Sequence, residues 1–116
     1  MRDIALQLAG ALAVLAALAH AVLGETVVFP RAHIDPPWVV ALMRAVWHCL
    51  SIAWIGSGVL LIAAPSFASD ASRRWIVVVF AAVYGSAAIG NAVATRGRHF
   101  GWMVFSAVVV LTLAGI

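Results

Sequence analysis

Apolar residues run almost unbroken through four stretches, Ile4–Leu23, Ala45–Ala64, Trp75–Ala94 and Phe100–Ile116, with most polar residues between them. A helix rises about 1.5 Å per residue, so roughly 20 apolar residues cross a hydrocarbon layer of about 30 Å. The first three stretches meet that length and the fourth falls slightly short. The pattern predicts four helices, at about 4–23, 36–64, 71–94 and 100–116, in an up-down-up-down order. The expected architecture is an all-α, integral membrane four-helix bundle forming one domain over residues 1–116.

Local signals set the expected boundaries. Pro30 and the Pro36-Pro37 pair favour extended geometry in the residues before them, so Glu25–Asp35 reads as a non-helical connection. Asp35 then reads as the N-cap of helix 2, with proline in the first turn, and Pro65 as its end. Such a helix is about 42 Å long, which exceeds the hydrocarbon thickness and leaves Trp38 and Arg44 in the interface. Ser69 or Asp70 should cap helix 3, and Gly97 suits its C-terminal cap. Trp75 and Trp102 are placed as interfacial anchors. Met1-Arg2, the apolar stretch and Ala17-Leu18-Ala19 resemble a cleavable signal, but the stretch is longer than a signal core. It reads as the first membrane helix.

Two stripes of small residues stand out. Ala5, Ala9, Ala13, Ala17 and Ala21 recur along one side of helix 1, and Ala82, Ser86, Gly90 and Ala94 along helix 3. Lipid tails are as apolar as the helices themselves, so close backbone approach drives association, and small residues permit it. The two stripes are expected to pack on each other or across the boundary of a homo-oligomer.

Composition supports the membrane reading. Hydrophobic residues make up 66% of the chain and charged residues 9%, with mean hydropathy +1.12. A soluble domain of this size could not hide so much apolar surface. The pI near 10.6 arises from seven arginines against four acids. These arginines sit at the ends of apolar stretches, where they meet lipid headgroups, and no basic face with interleaved aromatics suggests nucleic acid. Arg2, Arg73 and Arg74 fall on one side of the bilayer, and Arg31, Arg44, Arg96 and Arg98 on the other. That near balance specifies orientation weakly. Arg2 and the terminal amine opposite Glu25 tilt it toward cytoplasmic termini. The single cysteine, Cys49, allows no internal disulfide and reads as a small buried residue.

Within this frame, one end of the bundle collects nearly all the intramembrane polarity. Up-down order brings together His20, Glu25, Arg44, His48, Ser51, Asn91, Thr95, Arg96, Arg98 and His99. Ionisable groups inside membrane helices are costly and usually face a bundle interior or a wet cavity. Singly, each has a structural explanation: a Glu25–Arg44 ion pair, a His48 bond to a carbonyl, Asn91 as interhelical glue, interfacial His99 and solvated His33. Together, His20, Glu25, Arg44, His48, Ser51 and Asn91 form a candidate ligand pocket. His20, Glu25, His48 and His99 supply nitrogen and carboxylate donors suited to zinc or a similar divalent metal. Haem held between His20 and His48 is a less favoured alternative, because Trp47 and the alanine stripe imply tight packing. A structural or accessory subunit without ligand is a third reading. Ser51 lies one turn from His48, but no oxyanion device or supporting acid accompanies it, so no catalytic residue is expected.

The segments His20-x-x-x-Gly24-Glu25, Arg44-x-x-Trp47-His48-x-x-Ser51 and Arg96-Gly97-Arg98-His99-x-Gly101-Trp102 resemble a group of small four-helix bacterial inner-membrane proteins. The resemblance spans nearly the whole chain. It implies the four-helix architecture and an inner-membrane location, and no activity.

Overall fold

The computed structural model describes residues 1–116 as four helices without strands. They are α1 (Arg2–Arg31), α2 (Pro37–Phe67), α3 (Asp70–Thr95) and α4 (Gly101–Leu113). The first three are long and apolar enough to cross a membrane, and α4 is a shorter apolar helix of 13 residues. Hence the helix expected to reach residue 116 stops at Leu113. The turn beyond it tucks Gly115 against the side chain of Leu6 in α1.

The prolines at 30 and 65 interrupt the helices less than their local preference predicts. Instead of a connection from Glu25, α1 continues to Arg31 through a π-helical segment, Gly24–Val28. A proline inside a regular α-helix clashes with the carbonyl four residues back. The wider π turn immediately before Pro30 relaxes that crowding, and side chains serve carbonyls of the preceding turn. Thr26 Oγ1 donates to the Val22 carbonyl, and Trp47 Nε1 to the His20 carbonyl, both at 2.8 Å. Pro65 likewise lies within α2, which runs on to Phe67. In the last turn its ring removes only one ladder bond, and Ala68 N–H still reaches the Ala64 carbonyl at 2.9 Å. Asp35 does not cap α2: the N-cap is Pro36, and no side chain caps it. Ser69 does cap α3, accepting from Ser72 N–H at 3.2 Å. At the other end of α3 the left-handed residues are both Arg96 and Gly97, and Gly97 N–H returns to the Ala92 carbonyl at 2.8 Å.

Packing sets α1 between α2 and α4, while α3 packs mainly on α4 in spite of its two-residue connection to α2. The alanine stripe of α1 is buried as expected, with Ala9, Ala13 and Ala17 fully enclosed. Its partners are α2 and α4 rather than α3, because α3 stands diagonally across the bundle. Ala82, Ser86, Gly90 and Ala94 of α3 are all exposed. Closest approach occurs where Gly10 of α1 meets Gly58 of α2. A Cβ on Gly58 would stand 2.7 Å from the Gly10 carbonyl oxygen and 2.8 Å from Val14 Cγ2.

Contact between α2 and α3 is sparser and depends on one aromatic knot. Trp54, Tyr84 and Phe105 meet at mid-bundle, with Trp54 and Phe105 edge-to-face at 4.7 Å. Ser57 Oγ and the Tyr84 hydroxyl lie 2.5 Å apart, and both reach the Trp54 carbonyl, at 2.9 and 3.3 Å. This clasp of Tyr84 to α2 is buried on both sides. At the terminal end of the bundle, Arg73 Nη2 meets Asp3 Oδ1 at 2.5 Å and ties α3 to α1.

Two expectations follow for thermal unfolding in detergent. Gly58→Ala forces α1 and α2 apart and should cost about 1–3 kcal/mol of stability. Gly56→Ala, two residues away with nothing within 4 Å of its added methyl, should be neutral or slightly stabilising. Tyr84→Phe keeps the aromatic packing and removes the hydroxyl that reaches Ser57 and the Trp54 carbonyl, so its loss should be about 1 kcal/mol or less.

Candidate functional site

The polar end of the bundle is organised by four residues of α2. Arg44, Trp47, His48 and Ser51 stand at i, i+3, i+4 and i+7, which puts them on one helix face. That face meets the last turns of α1, and the two helices form two layers of contacts there.

The outer layer is ionic. Glu25 Oε1 receives His48 Nε2 at 2.7 Å and Arg44 Nε at 3.2 Å. All three side chains are roughly half exposed, so the cluster contributes on the order of 1 kcal/mol or less to stability. The Arg44 guanidinium also lies over the ring of Phe29, 5.1 Å from its centroid. Phe29 in turn meets Trp47 edge-on at 5.6 Å. The π segment, through Glu25, and Phe29 directly after it are therefore both fastened to α2.

The inner layer is built on His20. Its ring stacks on Trp47 at 3.9 Å with an interplanar angle of 7°, and Trp54 closes a second side at 4.9 Å. The Trp47 indole rests on Gly24, where any Cβ would collide with it. Ser51 Oγ donates to the Trp47 carbonyl at 3.1 Å, and its oxygen lies 2.9 Å from His20 Nδ1. Both contacts are met together when the serine proton goes to the carbonyl and His20 Nδ1–H is the donor. His20 Nε2 is then the unprotonated nitrogen of a neutral ring, and no protein group bonds it.

A third group lies across α1 on the α3–α4 turn. Gly101 N–H donates to His99 Nδ1 at 3.1 Å, so the proton of a neutral His99 ring resides on Nε2. The ring stacks on Phe100 at 4.8 Å. Thr95 Oγ1 bonds the Asn91 carbonyl at 2.7 Å, and the Asn91 amide lies against Gly101. Its Oδ1 is buried without a partner, and it makes no interhelical hydrogen bond.

Between α1 and α4 lies a cavity of about 250 Å³. Leu12, Leu15, Ala16, Ala19 and Leu23 wall it from α1, and Phe100, Gly101, Val104 and Phe105 from the other side. The only polar side chains bordering it are His20 and His99.

The structure thus divides the residues singled out from sequence. His48, Glu25 and Arg44 join, His20 and Ser51 join, and His20 and His99 share a cavity. Asn91 stands apart. No three His, Cys, Asp or Glu side chains group as a metal site would require, so His20, Glu25, His48 and His99 do not converge. His33 is exposed in its connection, with Nδ1 3.1 Å from the Arg31 carbonyl. Cys49, expected to be buried, is exposed on the outer side of α2. Spacing alone could have found Trp47 and Trp54, which flank Ser51 on the buried face of α2. No comparable signal marks the cavity, whose walls are ordinary apolar residues from two helices distant in sequence. Comparison with known proteins finds no matching family model, no matching curated protein and no matching solved structure.

Proposed function

We propose that this protein binds a small, largely apolar ligand within the membrane, in the cavity between α1 and α4. One observation carries the reading: an apolar cavity of about 250 Å³ is bordered by two imidazoles and no other polar side chain. Ligand sites are commonly apolar concavities with a few placed polar groups that set orientation. Cavities of order 150 Å³ with apolar walls hold molecules the size of benzene. Glu25, Arg44 and His48 serve this site indirectly, by fixing the π segment and Trp47, on which the His20 ring rests. The expected polar pocket is thus reassigned as a fastening for the wall of an apolar one.

The same reading keeps the chain in a bacterial inner membrane with both termini cytoplasmic, the side toward which Arg2 and the terminal amine, opposite Glu25, tilt a nearly balanced set of arginines. It also sets a second copy of the chain against the exposed Ala82, Ser86, Gly90 and Ala94 face of α3, where small residues allow close approach.

Naphthalene is a suitable probe. Saturation-transfer NMR on protein in lipid nanodiscs should detect saturable naphthalene binding above that of empty nanodiscs. Ala16→Phe, which fills the cavity from α1, should weaken it at least tenfold while leaving the thermal midpoint within a few degrees. Equal binding by the two proteins would overturn the reading.

A further inference from the structure

We infer that the ligand is a neutral apolar molecule carrying a hydroxyl, of the phenol or hydroquinone class. The inference rests on the cavity reading above and comes from the proton positions on its two imidazoles. With the Nδ1 proton of His20 given to Ser51, the nitrogen it has free for a ligand in the cavity it borders is Nε2, an acceptor. His99 receives the Gly101 N–H on Nδ1, so the nitrogen that a neutral ring has free for a ligand in the same cavity is Nε2–H, a donor. One imidazole asks for a proton donor and the other for an acceptor. A hydroxyl is the smallest neutral head that answers both.

Charge excludes the obvious rivals. No arginine, aspartate or glutamate borders the cavity, and the nearby Arg44 and Glu25 are committed to each other. A carboxylate entering there would lose its hydration and face the lone pair of His20 Nε2. An ammonium would find one acceptor and no counter-charge. A ketone or ether satisfies His99 and leaves His20 unanswered, and a buried unmet acceptor is costly. An aromatic body fits the remaining walls, where Phe100 and Phe105 stand beside aliphatic chains.

Ser51 is a positioning residue in this scheme. It touches no ligand, but its bond to the Trp47 carbonyl leaves only an acceptor for His20 Nδ1–H. Without it, nothing holds the proton on Nδ1, and the ring can turn either nitrogen toward the cavity. The preference for a donating head should then fall although the cavity keeps its size.

The test compares 1-naphthol, 1-methoxynaphthalene and 1-naphthoate on the whole protein in lipid nanodiscs, with Ala16→Phe as background. The expected dissociation constant for 1-naphthol is about tenfold below that for the methyl ether, the equivalent of one added hydrogen bond. The naphthoate should bind more weakly than either. His20→Phe and the milder Ser51→Ala should each reduce the naphthol-to-ether preference to about twofold or less. Equal affinities for naphthol and its ether, or tighter binding of the naphthoate, would overturn the hydroxyl inference and leave the cavity reading standing. A Ser51→Ala protein that retains the tenfold preference would remove the proton-placement argument. Wild-type binding no stronger than that of Ala16→Phe, for all three probes, would sink the cavity and the inference together.

Discussion

Inside a bilayer, neighbouring helices gain no net burial from lipid, so the bundle is held by how closely their backbones can approach. In this protein that constraint falls on the small-residue side of α1. Ala9, Gly10, Ala13 and Ala17 are all buried, and Gly10 touches the backbone of α2 at Gly58. Contact at this level brings α2 flush against α1, and the rest of the polar end is arranged from it. Toward the His20 end, α1 faces α4 with Leu12, Leu15, Ala16, Ala19 and Leu23, and the cavity lies between the two helices. The same helix that makes the tightest seam therefore supplies one wall of the open space.

The π segment of α1 connects packing to chemistry. Its wider turn accommodates Pro30 and carries Glu25 to His48 and Arg44, while just before it the His20 carbonyl accepts the Trp47 indole N–H as well as the Gly24 N–H. Trp47 then does two things at once: it ties α1 to α2 through that bond and offers its face to the His20 ring. Gly24 has to be a glycine for the indole to lie there. Ser51 completes the support from one turn further along α2. Polar groups that looked like ligands in a list of residues are, for the most part, the frame around a single imidazole edge.

Membrane proteins usually place a hydrogen-bonding residue where its alternative is an unmet polar atom in hydrocarbon. Both clasps of α2 obey that logic. Ser57 and Tyr84 satisfy each other at mid-bundle, and Ser51 and His20 do so nearer the polar end. Polar atoms left without a protein partner include the buried Asn91 Oδ1 and Thr112 Oγ1, and the far nitrogen of His20, whose ring borders the cavity.

Apolar run length and the absence of a soluble-type composition determined, without coordinates, that the chain is a helical bundle with membrane-length helices. The one-sided polarity and the pairing of Glu25 with Arg44 were equally legible, because helical spacing and up-down order bring those residues together in one dimension. Proline was the weak guide: at residues 30 and 65 neighbouring turns absorb the missing donor, which a local rule does not register. Only the tertiary structure decided that α1 packs between α2 and α4, leaving the α3 stripe outside, and that His99 shares a cavity with His20 rather than a metal with Glu25 and His48. Those outcomes depend on which faces of distant helices meet and at what separation. Sequence periodicity fixes a residue's angle around its own helix axis, but the distance across to another helix is set by side-chain packing, down to single methyl groups such as the one Gly58 lacks.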